Sequence, residues 1–151
     1  MRRSTESEPQ PLFVDTWGWL VLEDSKHSAH AAVHELRQAY AHAGVAWVTT
    51  DYVLDETITR LFSRRPFDEA RQFCAGVFRA QESGALQLET ITPQRFAQAY
   101  RLRLRYRDKP RVSFTDLTSF VVMKELGIQL ALTEDAHFTQ VQMGFQVLPK
   151  R

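Results

Sequence analysis

The sequence contains one cysteine, Cys74, in 151 residues. A lone thiol excludes a disulfide framework and any zinc site built from two or four cysteines. There is no uninterrupted apolar run of about 18 residues, the length a membrane-crossing helix needs. The opening stretch, Met1 to Pro11, is polar, and no hydrophobic segment of a secretory signal follows it. The expected location is therefore a reducing cytoplasm. Charge of one sign is also missing. Nineteen Lys and Arg face eighteen Asp and Glu, a net of +1, so the total carries no signal for a polyanionic partner. Internal repeats, low-complexity stretches and an internal linker are absent as well. What is present is an ordinary globular balance, 44% hydrophobic and 25% charged. That excludes disorder as a description of the whole chain, and the length suits one domain.

Residues 1–10 show no apolar period and are expected to be a flexible tail, with one domain over 11–151. Leu12-Phe13-Val14 reads as a short buried strand. Ser25 to His42 reads as a helix, because Ala29, Ala32, Val33, Leu36 and Tyr40 recur at spacings of three and four. Gly44 follows where a helix end favours positive φ. Val45 to Thr50 is β-branched and aromatic, a second strand. A helical stripe of Leu54, Ile58, Leu61 and Phe62 must end near Pro66. Phe67–Gln81 is a further helix, and Leu86, Leu88 and Ile91 alternate as a third strand. Thr92-Pro93 supplies a hydroxyl cap and a first-turn proline for a helix to about Arg107. Ser113 opens another helix that closes at Gly127. Ile128–Leu132 is a fourth strand, Ala136–Val141 a short helix, and Phe145–Leu148 a last strand. Strands alternating with helices predict an α/β domain whose largely parallel sheet, of about five strands, is covered on both faces.

In such sheets ligands gather at the carboxyl ends of the strands. Asp15 follows the first strand, with Thr16 beside it. Asp51 follows the second, with Asp55 and Glu56 one turn into the next helix. Asp116 lies in the first turn of the helix that Ser113 opens, and Thr133-Glu134-Asp135 follows the fourth strand. Carboxylates brought together are unfavourable unless a cation sits among them. All-oxygen ligand sets select hard ions, Mg²⁺ or Mn²⁺. Each residue also has a plainer reading. Asp116 stands at capping-box spacing from Ser113, Asp15 and Asp135 suit turns or N-caps, and Glu56 suits a solvated helix face opposite the apolar stripe.

Four segments resemble the PIN-domain ribonucleases, in particular the VapC-type toxins of bacterial toxin–antitoxin pairs. They are Phe13-Val14-Asp15-Thr16, Val48 to Thr57, Ser113 to Phe120 continuing to Ile128, and Leu132 to Phe138 with Gly144-Phe145 behind. The resemblance spans roughly residues 11–149 and implies a PIN-like fold. It places Asp15, Glu56, Asp116 and Asp135 on the family's acidic quartet, as both catalytic residues and metal ligands. It implies Mg²⁺ or Mn²⁺, hydrolysis of RNA phosphodiesters, a homodimer and a neutralising antitoxin. Thr16 would support the metal shell. His137 is assigned a capping or surface role, Glu134 is an extra carboxylate beside Asp135, and Asp51 and Asp55 are left outside the site.

Six of the twelve residues from Tyr100 to Arg111 are basic. Arg101, Arg103, Arg105 and Arg107 are expected to guide RNA by phosphate contact, with Tyr100 and Tyr106 available to stack on unpaired bases. The plainer reading is a solvated helix face. Arg60, Arg64 and Arg65 form a second group. Trp17 and Trp19 are expected to pack in the core or a dimer contact, and His27, His30 and His34 to lie on a polar helix face. Two other classes compete. A haloacid-dehalogenase-like phosphatase wants an aspartate where Trp17 stands, and a response receiver wants a lysine at a late strand end that offers none. A PIN-fold module that binds RNA or protein without cutting keeps the fold but leaves the quartet without a task, as a housekeeping PIN nuclease would not. The near-zero net charge thus conceals two opposed features, a carboxylate rim for a cation and an arginine-rich stretch for phosphate.

Overall fold

A computed structural model describes residues 8–150. Most of the expected N-terminal tail lies outside the described residues. Its last residue, Gln10, is tied down, since its carbonyl accepts a hydrogen bond from the Tyr40 hydroxyl.

Five strands and seven helices alternate as β1 (Leu12–Val14), α1 (Thr16–Glu23), α2 (His30–Ala43), β2 (Trp47–Thr50), α3 (Asp51–Arg64), α4 (Phe67–Glu82), β3 (Leu86–Glu89), α5 (Pro93–Arg105), α6 (Phe114–Leu126), β4 (Leu130–Leu132), α7 (His137–Gln140) and β5 (Gln146–Leu148). The sheet is ordered β3-β2-β1-β4-β5, and every pairing is parallel. All residues of β1 and β2 are buried, so the centre of the sheet is covered on both faces, as the unbroken apolar runs predict. The chain enters at the central strand, builds β2 and β3 on one side, then crosses to build β4 and β5 on the other. This reversal of direction opens a crevice at the carboxyl ends of β1 and its neighbours.

Three sequence expectations shift. Helix α1 has no counterpart in the expected element order, where Trp17 and Trp19 pack in the core or a dimer contact. Helix α2 begins at His30 rather than Ser25, because Asp24 stops the chain. Its Oδ1 accepts the Lys26 N–H at 3.1 Å, and its carbonyl accepts the His27 N–H, also at 3.1 Å. Strand β3 ends at Glu89, since the Ile91 N–H donates instead to Asp51 Oδ1 at 2.9 Å. The predicted caps hold. Thr92 and Ser113 accept backbone N–H groups three residues on, and Gly44 and Gly127 close α2 and α6 with φ of 69°.

Helix α1 lies so close to the sheet that only glycine fits at position 18. A Cβ there would sit 2.9 Å from Leu132 Cγ and 3.0 Å from Val14 Cγ1, in a core packed at crystal-like density. Gly18→Ala is expected to cost about 1–3 kcal/mol by overpacking, read as a lower urea midpoint at unchanged m-value. Beyond β4, Phe138 and Phe145 pack on Phe120 of α6, with ring centroids 4.8 Å and 5.5 Å away. This cluster pins the segment between β4 and β5, and so fixes the residues that precede Phe138.

Candidate active site

A cavity of about 900 Å³ opens at the carboxyl ends of β1 and β4. Asp15, Glu56, Asp116 and Asp135 all line it. They arrive from four places, the end of β1, the second turn of α3, the first turn of α6 and the β4–α7 connection.

Each carboxylate is held by a short relay. Asp15 is the N-cap residue of α1, yet its side chain makes no capping bond. Its Oδ2 accepts instead from the Thr133 hydroxyl at 2.8 Å, and Thr133 Oγ1 in turn accepts the Asp135 N–H at 3.0 Å. The Asp15 N–H is bonded to the Leu132 carbonyl at 3.2 Å, which locks β1 to β4 at the rim. Ser113 does cap α6, accepting the Asp116 N–H at 3.0 Å, while the Asp116 carboxylate faces Asp15 and Asp135. The capping reading and the site reading therefore use different atoms of one turn. Asp135 Oδ1 accepts the His137 N–H at 2.9 Å, so it also shapes the entry to α7. Glu56 accepts from Thr16 Oγ1 at 3.3 Å and pairs with Arg60 at 2.6 Å. That pair is partly exposed and of the class worth at most about 1 kcal/mol.

The electrostatics are unfavourable as they stand. Asp15 and Asp116 are each only 7% exposed. Burial pushes the Asp15 carboxyl up to about 6, with the charges of Asp135 and Glu56 adding to the rise. Burial also drives Asp116 well above the usual carboxylate range, helped by Asp15 and Asp135 and by a hydrogen bond from Asp116 to Asp135. Anionic groups that resist ionising side by side are relieved by a cation.

His137 is the residue that sequence reasoning undervalued. Its Nδ1 is buried, 3.0 Å from Asp135 Oδ1 and 3.9 Å from Asp116 Oδ2, and forms no well-aligned hydrogen bond among the described residues. One ligand atom each from Asp116, Asp135 and His137 lie within 4.8 Å of one another, close enough to share an ion. The Asp-x-His spacing across a helix start was the available signal. Asp51 and Asp55 stay outside the cavity. Asp51 bonds backbone at Tyr52 and Ile91, and Asp55 is exposed. His27, His30 and His34 form no metal cluster among the described residues.

The arginines fall into two groups. Arg101, Arg103, Arg105 and Arg107 do not line the cavity. The Arg103 guanidinium is spent on three carbonyls, those of Val112, Tyr106 and Lys109, at 2.6–2.8 Å. Tyr106 is buried, with its hydroxyl bonded to the Val141 carbonyl, so it is no stacking platform. The cations that do line the cavity are Arg60, Arg64, Arg65 and Arg111. Arg65 is paired with Glu23 and Asp24, whereas the Arg64 and Arg111 side chains are exposed and have no hydrogen-bond or ion-pair partner among the described residues.

The PIN-domain family model matches residues 12–143. The chain belongs to the PIN-domain family. The PIN chain is also 32% identical over 128 residues to the 23S rRNA-specific endonuclease VapC20 of Mycobacterium tuberculosis, in two strains, covering 85% of this chain and 92% of the relative. The crystal structure of Mycobacterium tuberculosis VapC20, a sarcin-ricin loop cleaving toxin, superposes with a TM-score of 0.73 at 30% identity, over 89% of this chain and 96% of that one. The α/β domain and all-parallel five-stranded sheet are those of a PIN fold, which removes the phosphatase and receiver alternatives. No helix among the described residues is long and apolar enough to cross a membrane.

Proposed function

We propose that this PIN domain is a metal-dependent endoribonuclease of VapC toxin type, acting in the cytoplasm and neutralised by a cognate antitoxin. The observation that carries the reading is the convergence of Asp15, Glu56, Asp116 and Asp135 on one cavity, with two of the four held at raised pKa.

The donor set would hold a hard divalent ion, Mg²⁺ or Mn²⁺, at Asp116 and Asp135, whose ligand atoms lie close to each other and to His137, with Asp15 and Glu56 completing the shell from the cavity wall. Such an ion, when bound, lowers the pKa of a coordinated water and offsets charge on the phosphate. The chain's own groups do the rest. Thr133 fixes Asp15 and the Asp135 backbone with one hydroxyl. Thr16 and Arg60 hold Glu56 at the cavity wall, one at each carboxylate oxygen. Arg64 and Arg111 reach phosphates on the approaching strand.

Phosphate contacts supply most of the salt-dependent affinity for RNA. The double variant Arg64→Ala, Arg111→Ala is expected to weaken RNA binding and to flatten the dependence of log K on log salt by about 1.4, at roughly 0.7 per single-strand phosphate contact. Its unfolding free energy should stay within about 0.5 kcal/mol of wild type, as for other exposed surface residues. Arg103→Glu, by contrast, is expected to lower stability, because it removes three bonds that close the loop from Tyr106 to Val112. Equal salt slopes for the double variant and wild type would remove Arg64 and Arg111 from the RNA path.

The reading includes a homodimer. An exposed stripe on α5 supports it, with Phe96, Tyr100 and Leu104 at successive spacings of four and 47%, 54% and 57% exposed. Apolar side chains aligned on one face of a surface helix mark a protein contact.

A further inference from the structure

The catalytic cavity continues sideways into a slot of about 200 Å³. Trp17, His27, Thr133 and Glu134 belong to both spaces, and Ala29 and Pro149 line the slot beyond them. We propose that this slot is a nucleobase subsite that takes one unpaired base of the RNA next to the scissile phosphate. The proposal rests on the ribonuclease reading above and adds which part of the chain reads a base.

Position comes first. The shared wall is Thr133, whose hydroxyl is bonded to Asp15, and Trp17 is two residues from Asp15 in sequence. A base in the slot therefore belongs to a nucleotide adjoining the carboxylate cluster. Size is the second argument. The slot is smaller than a pocket for a drug-sized ligand, about 300–1,000 Å³, and suits one ring system, with sugar and phosphate left in the larger cavity.

The walls give the third argument. The Trp17 and His27 rings meet edge to face, 5.9 Å between centroids and 87° between planes. Both rings line the slot. The His27 ring is fixed there, because Nδ1 accepts the Ala29 N–H at 3.0 Å. That leaves Nε2 as the ring's donor. Trp17 differs from Trp19 two residues away. Trp19 is buried against Trp47 with its Nε1 bonded to Thr49. Trp17 is only partly buried, packing on the core along one side and lining the slot along the other. Aromatic faces beside a phosphate site are how proteins hold splayed-out RNA bases.

The test uses fluorescein-labelled hexanucleotides in the Asp116→Asn background with Mg²⁺, where the RNA is not cleaved. The probes are hexaadenylate, hexacytidylate, hexauridylate and an abasic ribose-phosphate hexamer. At least one base-bearing probe is expected to bind about ten- to a hundredfold more tightly than the abasic one, the range of one stacked base. Trp17→Ala is expected to erase that difference and leave abasic binding unchanged, while Trp17→Phe retains most of it. Equal affinity for the abasic and every base-bearing probe would overturn the subsite, and needs no variant at position 17. A base preference that survives Trp17→Ala would overturn it too. If the wild-type protein cleaves no RNA in Mg²⁺ or Mn²⁺, the underlying ribonuclease reading falls and the subsite with it. That outcome is read in a separate assay and is not confused with the other two.

Discussion

The metal-free protein is expected to lose stability as the pH rises from 4 to 8. Asp15 titrates at about 6 in the fold and near 3.9 when unfolded. A carboxyl with a raised folded-state pKa favours the native state when protonated. Its contribution is fully present below about pH 4 and is lost as the pH climbs through about 6. The loss amounts to about 3 kcal/mol at 1.36 kcal/mol per pH unit. For a chain of this size that is a fall in Tm of roughly 6–12 °C. Asp116 is shifted in the same direction and deepens the fall at the alkaline end. The Glu89 and Asp108 carboxyls are held below their ordinary values by Gln87 and Lys109 and work the other way. They are far less buried than Asp15, and their effect is smaller. Excess Mg²⁺ or Mn²⁺ should remove most of the dependence, since an ion binds the ionised carboxylates and only in the native state. Calorimetry across this pH range, in EDTA and then in Mn²⁺, checks it. A flat metal-free profile would mean that the cluster is not strained.

The second large effect follows from the same cluster. Asp116→Asn keeps the shape of the side chain and the Ser113 cap, which uses the backbone N–H, but removes a charge. At pH 8 the metal-free variant is expected to be more stable than wild type, because a buried carboxylate no longer has to ionise beside Asp15 and Asp135. Cleavage should fall at least a hundredfold, the scale of losing one electrostatic partner of a transition state. The rise in Tm on adding Mn²⁺ should shrink in parallel. A variant that is more stable and inactive separates a functional charge from a structural one. A variant that is less stable and fully active would assign Asp116 to the cap.

Much of this was legible in the residues. Asp15, Asp116 and Asp135 follow strand ends or open a helix, Glu56 lies one turn into the helix after β2, and a parallel sheet brings such places to one rim. The caps at Thr92 and Ser113 and the closing glycines at 44 and 127 are local chemistry, and they sit where the sequence puts them. Helix α1 was not legible. Its sequence, Trp17-Gly18-Trp19-Leu20-Val21-Leu22, is apolar on every side, because the helix is wedged against the sheet. Without a polar face there is no period to read. The role of His137 was hidden for a different reason. Its ring reaches Asp135 and Asp116 only because the Phe120, Phe138 and Phe145 cluster fixes the turn that carries it. The arginines show the limit of counting charge along the chain. Arg103 lies in the densest basic stretch but serves its own loop, while Arg64 and Arg111, 47 residues apart, face the same cavity.

The central claim is that the carboxylate cluster acts through a divalent ion on RNA. The direct measurement is cleavage of single-stranded and stem-loop RNA by the purified chain in Mg²⁺ or Mn²⁺, with and without EDTA, beside Asp116→Asn. Internal cleavage that needs the ion, stops in EDTA and is lost in the variant is the predicted result. Cleavage that persists in EDTA or in Asp116→Asn would contradict the account.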